Sequence, residues 1–486
     1  LETSRNGAFA RRRDGFARGR RGARVIGAAA LGMTAALANG ADAAALDDGD
    51  GADAWSLQLD GEQRTRYQSL NHDYRAGKSA FSDDVLTERT LLGLRLHRNT
   101  AALGSLTFFG QLQDARAQSL SGRIGQVPLS SSLINPIDLL QAYLRWRQPH
   151  GSRPSARYAV QFGRFRMALG SRRLISGTPF RNTFNAYTGL RVDRFGRGGS
   201  KATAFATVPV QRRPTTRSGL EDNEAIPDLE LWHTLFAGAI ARTAPLALDF
   251  KLEGYAYVLD EHDSPRAQTR NRRLLTPGLR LFRPSRPGHW RSEVEVIGQI
   301  GSDRASTAPS DTRDLRHRAY ALHASIGYRF RAPLTPQLDL DYDLASGDRN
   351  PADGRDERFD SLFIGRRYDL GPTDLWGAVT RANLRSPGLR LTLHLPHGDL
   401  FVIYRRLWLD QSRDAWTPAK VRDPTGASGR DLGQQIDSRL RYTLIPRRLK
   451  FEAGYTVLLR GRFARQAPGG AATDSSHVYV EFTLSF

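Results

Sequence analysis

The sequence contains no cysteine. That absence removes disulfides, thiolate metal sites and cysteine nucleophiles together, and it fits an oxidising compartment where free thiols are a liability. Long apolar runs are also missing. Past the N-terminus no stretch of about 18 uncharged apolar residues occurs, so a membrane helix is excluded and any bilayer crossing must use strands. The mean hydropathy is -0.48. No Pro/Gly/Ser-rich linker or composition shift divides the 486 residues beyond about residue 50, which makes one large domain the simplest organisation. The eleven histidines include no pair at zinc-ligand spacing on one face, and no Gly-x-Ser-x-Gly occurs.

Acidic residues are in deficit: 50 against 71 basic, a net charge of +21. Part of the excess belongs to an address. A basic region from Arg11 to Arg24 precedes an apolar run from Val25 to Ala38, and Ala41-Asp42-Ala43 offers a small-x-small cleavage site. Residues 1–43 therefore read as a secretory signal peptide, with residues 44–486 as the mature domain. The leader takes eight arginines and three acids (Glu2, Asp14 and Asp42) with it, so the net charge falls by five to +16. Nearly all of that excess is arginine, whose planar fork holds carboxylate and phosphate bidentately. An anionic partner follows: an acidic substrate or the phosphates of lipopolysaccharide. Nucleic acid is the least fitting for a secreted chain.

The remaining chain alternates. From Ser476 to Phe486, Val478, Val480, Phe482, Leu484 and Phe486 are apolar while His477, Glu481, Thr483 and Ser485 are polar, the pattern of a strand with one oily and one wet face. Its closing phenylalanine looks like the C-terminal signature of Gram-negative outer-membrane barrels. Eighteen such segments of roughly ten to fourteen residues can be traced from 55–68 onward, a length that spans a tilted barrel wall. Every even-numbered segment is followed by a short turn, such as Asn99-Thr100, His397-Gly398 or Pro446-Arg447, whereas the odd connections are long and polar, as in Gly347 to Ser386. Strict alternation of short and long connections predicts an all-β fold: one antiparallel transmembrane barrel of about 18 strands, with short periplasmic turns and long extracellular loops.

Trp55, Leu57 and Leu59, then Leu92, Leu94 and Leu96, then Leu389, Leu391, Leu393 and Leu395, and Leu449 to Val457 at every second residue, are expected to form the lipid wall. Arg64, Arg66, Arg89, Arg95, Arg145, Arg147, Lys251, Arg280, Arg390, Arg439 and Arg441 lie on the opposite face, interleaved with acids such as Glu62, Glu253, Glu293, Glu295, Asp339 and Asp341. The lumen should therefore be densely charged, and about eighteen strands enclose water.

Several linked motifs carry a resemblance. Asp84…Thr87-Glu88-Arg89-Thr90, Leu112-Gln113-Asp114-Ala115-Arg116, Asp138-Leu139-Leu140-Gln141-Ala142-Tyr143, Phe162-Gly163-Arg164, Arg172-Arg173-Leu174-Ile175 and Gly189-Leu190-Arg191 follow in one order. Asp341-Tyr342…Gly347-Asp348 and Gly371-Pro372…Asp374-Leu375-Trp376-Gly377 come later. This order resembles the alginate export family of outer-membrane barrels. The chain departs from it at Phe180-Arg181-Asn182 and Tyr187-Thr188-Gly189, where the family's Trp and an acid are replaced. The resemblance implies a monomeric eighteen-stranded barrel in the Gram-negative outer membrane, with an arginine-lined pore that passes an alginate-like polyuronate outward and meets periplasmic secretion partners.

A polyanion threading a constriction needs guanidinium groups that replace its hydration without holding any one sugar too tightly. Arg89, Arg95, Arg145, Arg164, Arg191, Arg439 and Arg441 are the expected contact ladder, with Asp114 and Glu293 among the orienting acids. Each arginine alone reads equally well as a wall salt bridge. An anion-selective porin for uptake of small acidic solutes is the nearest rival function, and an outer-membrane hydrolase a more distant one. No cofactor is expected, although the acids near Asp343 and Asp348 have oxygen ligands at spacings that calcium could use. Gly196 to Lys201 lacks the spacing of a phosphate loop and reads as a tight turn.

Overall fold

Alternation at period two commits each segment to having one face on oil, and a row of such segments satisfies its backbone polar groups in hydrocarbon only if the row closes on itself. The computed structural model describes residues 54–78, 80–120, 129–149, 156–265, 267–364 and 369–486. The leader read from residues 1–43 lies outside them. Eighteen long strands coincide one for one with the expected segments. The first six are β1 Trp55–Asn71, β2 Asp83–Thr100, β3 Gly104–Ser119, β4 Asn135–Arg147, β5 Ala156–Phe165 and β6 Tyr187–Gly196. Next come β7 Lys201–Gln211, β8 Thr234–Arg242, β9 Lys251–Glu261, β10 Arg273–Arg283, β11 His289–Asp303 and β12 Leu315–Arg329. The last six are β13 Gln337–Ala345, β14 Leu384–Leu395, β15 Gly398–Trp408, β16 Asp431–Ile445, β17 Leu449–Arg460 and β18 Ser475–Ser485.

Each strand pairs antiparallel with its neighbours in sequence, and β18 returns to β1 in the register Glu62↔Ser485 through Asn71↔Ser476. That seam closes the barrel. Helix is confined among the described residues to short turns such as α1 Arg217–Glu221 and α2 Arg462–Gln466. The short side carries connections such as 101–103 between β2 and β3 and 396–397 between β14 and β15. Gly104 enters β3 from the first of these at φ +82, where a Cβ would sit 2.1 Å from the Arg147 carbonyl oxygen. Only glycine fits there.

The outer face is the apolar one. Leu57 and Leu59 on β1, Leu92 on β2, Leu340 on β13, Leu389 on β14 and Tyr455 on β17 are all exposed. Trp55, Trp146, Trp290 and Phe330 lie on this face near the short-turn end, where amphipathic aromatic side chains suit a membrane interface. The inner faces of β6 to β9 are unlike the rest of the lumen. They present Tyr187, Phe205, Phe236, Tyr255 and Tyr257 inward, an aromatic shelf set among the charges of Arg191, Asp193 and Glu253.

Candidate pore and its constriction

An eighteen-stranded barrel is too wide for its wall side chains to fill, and two long connections enter the bore. The first is 166–186 between β5 and β6, the second 346–364 and 369–383 between β13 and β14. They meet in a parallel bridge at Ile175 and Phe363, with the Phe363 amide donating to Leu174 at 3.0 Å and the Ser176 amide donating to Phe363 at 3.2 Å. Apolar contacts dock them on the shelf. Phe363 lies 4.7 Å from Phe236 and 5.3 Å from Tyr187, ring to ring. Across the bore Trp376 is 1% exposed and packs edge-on to Tyr74 at 5.4 Å.

Ion pairs fasten the other sides. Arg64 of β1 donates to the carbonyls of Pro179, Phe180 and Arg181 at 3.2, 3.3 and 2.9 Å and to Asn182 Oδ1 at 2.9 Å. Arg66, two residues on and so on the same face, donates to Phe180 O at 2.7 Å and to Glu481 of β18, and lies 3.4 Å from Asp374. One guanidinium thus ties the wall seam to both inner loops. Asn182 continues the tie by donating its backbone N–H to Asp374 at 2.8 Å. Opposite, Arg173 reaches Glu293, Glu295 at 2.6 Å and Asp369 at 2.9 Å. Arg381 bridges Asp369 and Asp343, and Arg405 holds Asp343 at 2.9 Å. Burial alone raises a carboxyl, yet Arg173 and then Arg381 hold Asp369 well below the usual carboxylate range. At Asp374 burial prevails over Arg66, and the carboxyl is raised.

Six of the seven expected ladder arginines face the lumen. Arg89 donates to Glu62 at 2.5 Å and to Arg181 O at 3.1 Å, and so braces the first loop. Nearer the short turns the arrangement changes. Arg145 and Arg191 share the single carboxylate of Asp193 at 3.4 and 2.9 Å, and Arg439 and Arg441 share Asp399 at 3.0 and 2.8 Å. Arg95 stands 5.2 Å from the Phe109 ring and makes no direct ion pair among the described residues. At each place two guanidiniums share one carboxylate.

Two expected site residues are elsewhere. Arg164 shares the parity of Tyr158 and Phe162 on β5 and binds Asp138, Glu230 and the Leu139 carbonyl near the loop end. Asp114 lies on the outer side of β3 with Phe108 and Leu112, paired to Arg116 at 3.0 Å. Period two decides both positions: Gln161 and Phe165 are buried inward, so Arg164 points out; Gln113 and Ala115 are buried inward, so Asp114 points out. Glu293 is in the bore as expected, holding Arg173 and, at 3.0 Å, Arg280. The calcium reading at Asp343 meets Arg381, Arg405 and His323, the last at 2.9 Å. The charge of Asp343 is thus met within the protein by Arg381 and Arg405.

The residues that sequence reasoning passed over as site residues are those of the inner loops: Arg173, Asp369, Asp374 and Arg381. Their charge and the shortness of the Arg172-Arg173 pair were visible, but their partners lie 120 or more residues away in several cases.

Comparison with known proteins bears on the same segment of chain. The family profile described as alginate export matches residues 56–477. No curated protein matches. Among solved structures, Pseudomonas aeruginosa OccK2 (OpdF) in complex with glucuronate is similar at a TM-score of 0.55 and 14% identity, covering 88% of this chain and 98% of that one. Pseudomonas aeruginosa OccK8 (OprE) gives 0.54 at 12%, with the same coverage. OpdL from the same organism gives 0.53 at 13%, again over 88% and 98%.

Proposed function

The chain belongs to the alginate export family, and from that membership we propose that it conducts an alginate-like polyuronate outward across the outer membrane of a Gram-negative bacterium. Family and fold are those of porins and transporters. The observation that carries the reading is the pairing of Arg145 with Arg191 on Asp193 and of Arg439 with Arg441 on Asp399. A carboxylate on each successive sugar can take one fork of such a pair while the protein's own acid keeps the other in place. The acid also limits how tightly the sugar is held, so the chain can move on. The protein acts as a monomer within lipopolysaccharide and phospholipid, and takes polymer from periplasmic partners. We assign it no cofactor and no catalytic step.

Uptake of small acidic solutes is the second reading. It is favoured by the likeness to a barrel solved with glucuronate and by the two loops that narrow the bore. Planar-bilayer conductance separates the two. Block by polyuronate at far lower concentration than by glucuronate or phosphate supports the exporter; equal block by glucuronate and polymer supports the porin, and cation selectivity refutes both.

A further inference from the structure

On the outer wall, at the ends of β9 to β12 next to the long loops, a groove of about 720 Å³ opens between strands. Its floor is apolar: Val258, Leu275 and Ile300 lie side by side in register on three adjacent strands and are 40, 40 and 52% exposed. Its upper edge is cationic. Arg273 is opposite Ser302, which is opposite Arg316, so the two arginines flank one strand, roughly 10 Å apart. Arg318 stands one outward position deeper, beside Ile300.

These arginines differ from those of the lumen. Among the described residues Arg273 has only Asp260 at 3.8 Å, an acid that also faces His262 at 3.2 Å. Arg316 and Arg318 are exposed and have no side-chain partner among the described residues. A guanidinium left unpaired at the rim of a lipid-facing wall needs an anion from outside the protein, and the groove below it needs something apolar. We propose that this groove binds one phosphorylated glycolipid of the outer leaflet, a lipopolysaccharide, with acyl chain against Val258, Leu275 and Ile300 and phosphate in the forks of Arg273, Arg316 and Arg318. Guanidinium forks match phosphate oxygens bidentately. The long-loop end is the extracellular one in such barrels, which puts the cations at headgroup level of the outer leaflet. The site rests on the outer-membrane placement proposed above, but uses none of the pore residues.

The test uses full-length protein in mild detergent, titrated with purified lipopolysaccharide and read by native mass spectrometry, with phosphatidylglycerol and inorganic phosphate as parallel arms. Wild type should retain lipopolysaccharide, and R273Q/R316Q/R318Q should bind it on the order of a hundred-fold more weakly, at about tenfold per 1.4 kcal/mol and about 1 kcal/mol per surface cation. Both should give the same bilayer conductance. Undiminished retention by the triple variant overturns the proposal, as does equal retention of phosphatidylglycerol or phosphate by wild type. Retention lost in the variant while neither protein conducts supports the groove and refutes the pore; conduction without retention refutes the groove alone.

Discussion

Replacing Arg66 by methionine should release the inner loops while leaving the barrel intact. The guanidinium is 1% exposed and Asp374 is 0% exposed; Arg66 is also held by Glu481 at 2.5 Å and stacks on Phe180 at 4.0 Å. Removing one partner of a buried ion pair costs about 3–5 kcal/mol, because the orphaned charge keeps its desolvation penalty. Water can enter this bore, so the lower end applies. About 3 kcal/mol corresponds to a rise of roughly a hundred-fold in the undocked population of the second loop. Single-channel recording reads that population as time in a higher-conductance substate. Asp374→Asn in the R66M background removes one of the stranded charges and should return part of the lost docking, at least about 1 kcal/mol. Heat-modified gel mobility should be the same for all variants, since the wall ladder is untouched. Substate occupancy within about a factor of two of wild type in R66M, or a double variant that opens more than R66M, would refute the assignment of Arg66 as the tie between wall and loops.

Asp348, in the second loop, is raised to about 6 by burial and then by Asp356 and Asp414. The docked loop therefore binds its proton more tightly than the free loop, and docking should weaken as pH rises from about 4 to 6. D348N should flatten that dependence in single-channel substate occupancy and favour docking at neutral pH by about 1 kcal/mol after solvent screening. Trp376→Ala empties a site that is 1% exposed; a loss of about 3–5 kcal/mol should appear as faster proteolytic cleavage within 369–383 than in wild type. R439Q/R441Q should weaken polyuronate block about tenfold or more while Asp399 is left without its cations. Block unchanged in that variant would place the polymer's contacts elsewhere.

The wall was legible because each residue's side is a local property. Leu57, Leu92, Leu389 and Tyr455 face outward as their alternation requires, and all eighteen strands lie where period two and turn chemistry predict them. Arg164 and Asp114 show the limit: each sits in a segment whose motif resembles the family, but the side it takes is set by its parity in β5 and β3. The constriction was not legible. Residues 166–186 and 346–383 are polar, turn-rich segments whose composition does not distinguish a loop in solvent from one in the bore. What draws them inward is a set of partners distant in sequence, such as Phe236 for Phe363 and Glu293 for Arg173. The aromatic shelf was similarly hidden, because Phe205, Tyr255 and Tyr257 on an inner face look, one strand at a time, like ordinary oily residues.

The junction between β1 and β18 has a consequence for biogenesis. Its partners are more than 400 residues apart, as with Arg66 and Glu481, so the first strand emerges long before the one that will cover its edge. Until then a row of bare amides and carbonyls is intolerable in hydrocarbon. The ring therefore gains its stability only at the last step, and the edge of the first strand stays open throughout the interval. A ribosome stalled before residue 475 would deliver an open-edged sheet suited to aggregation rather than a smaller channel.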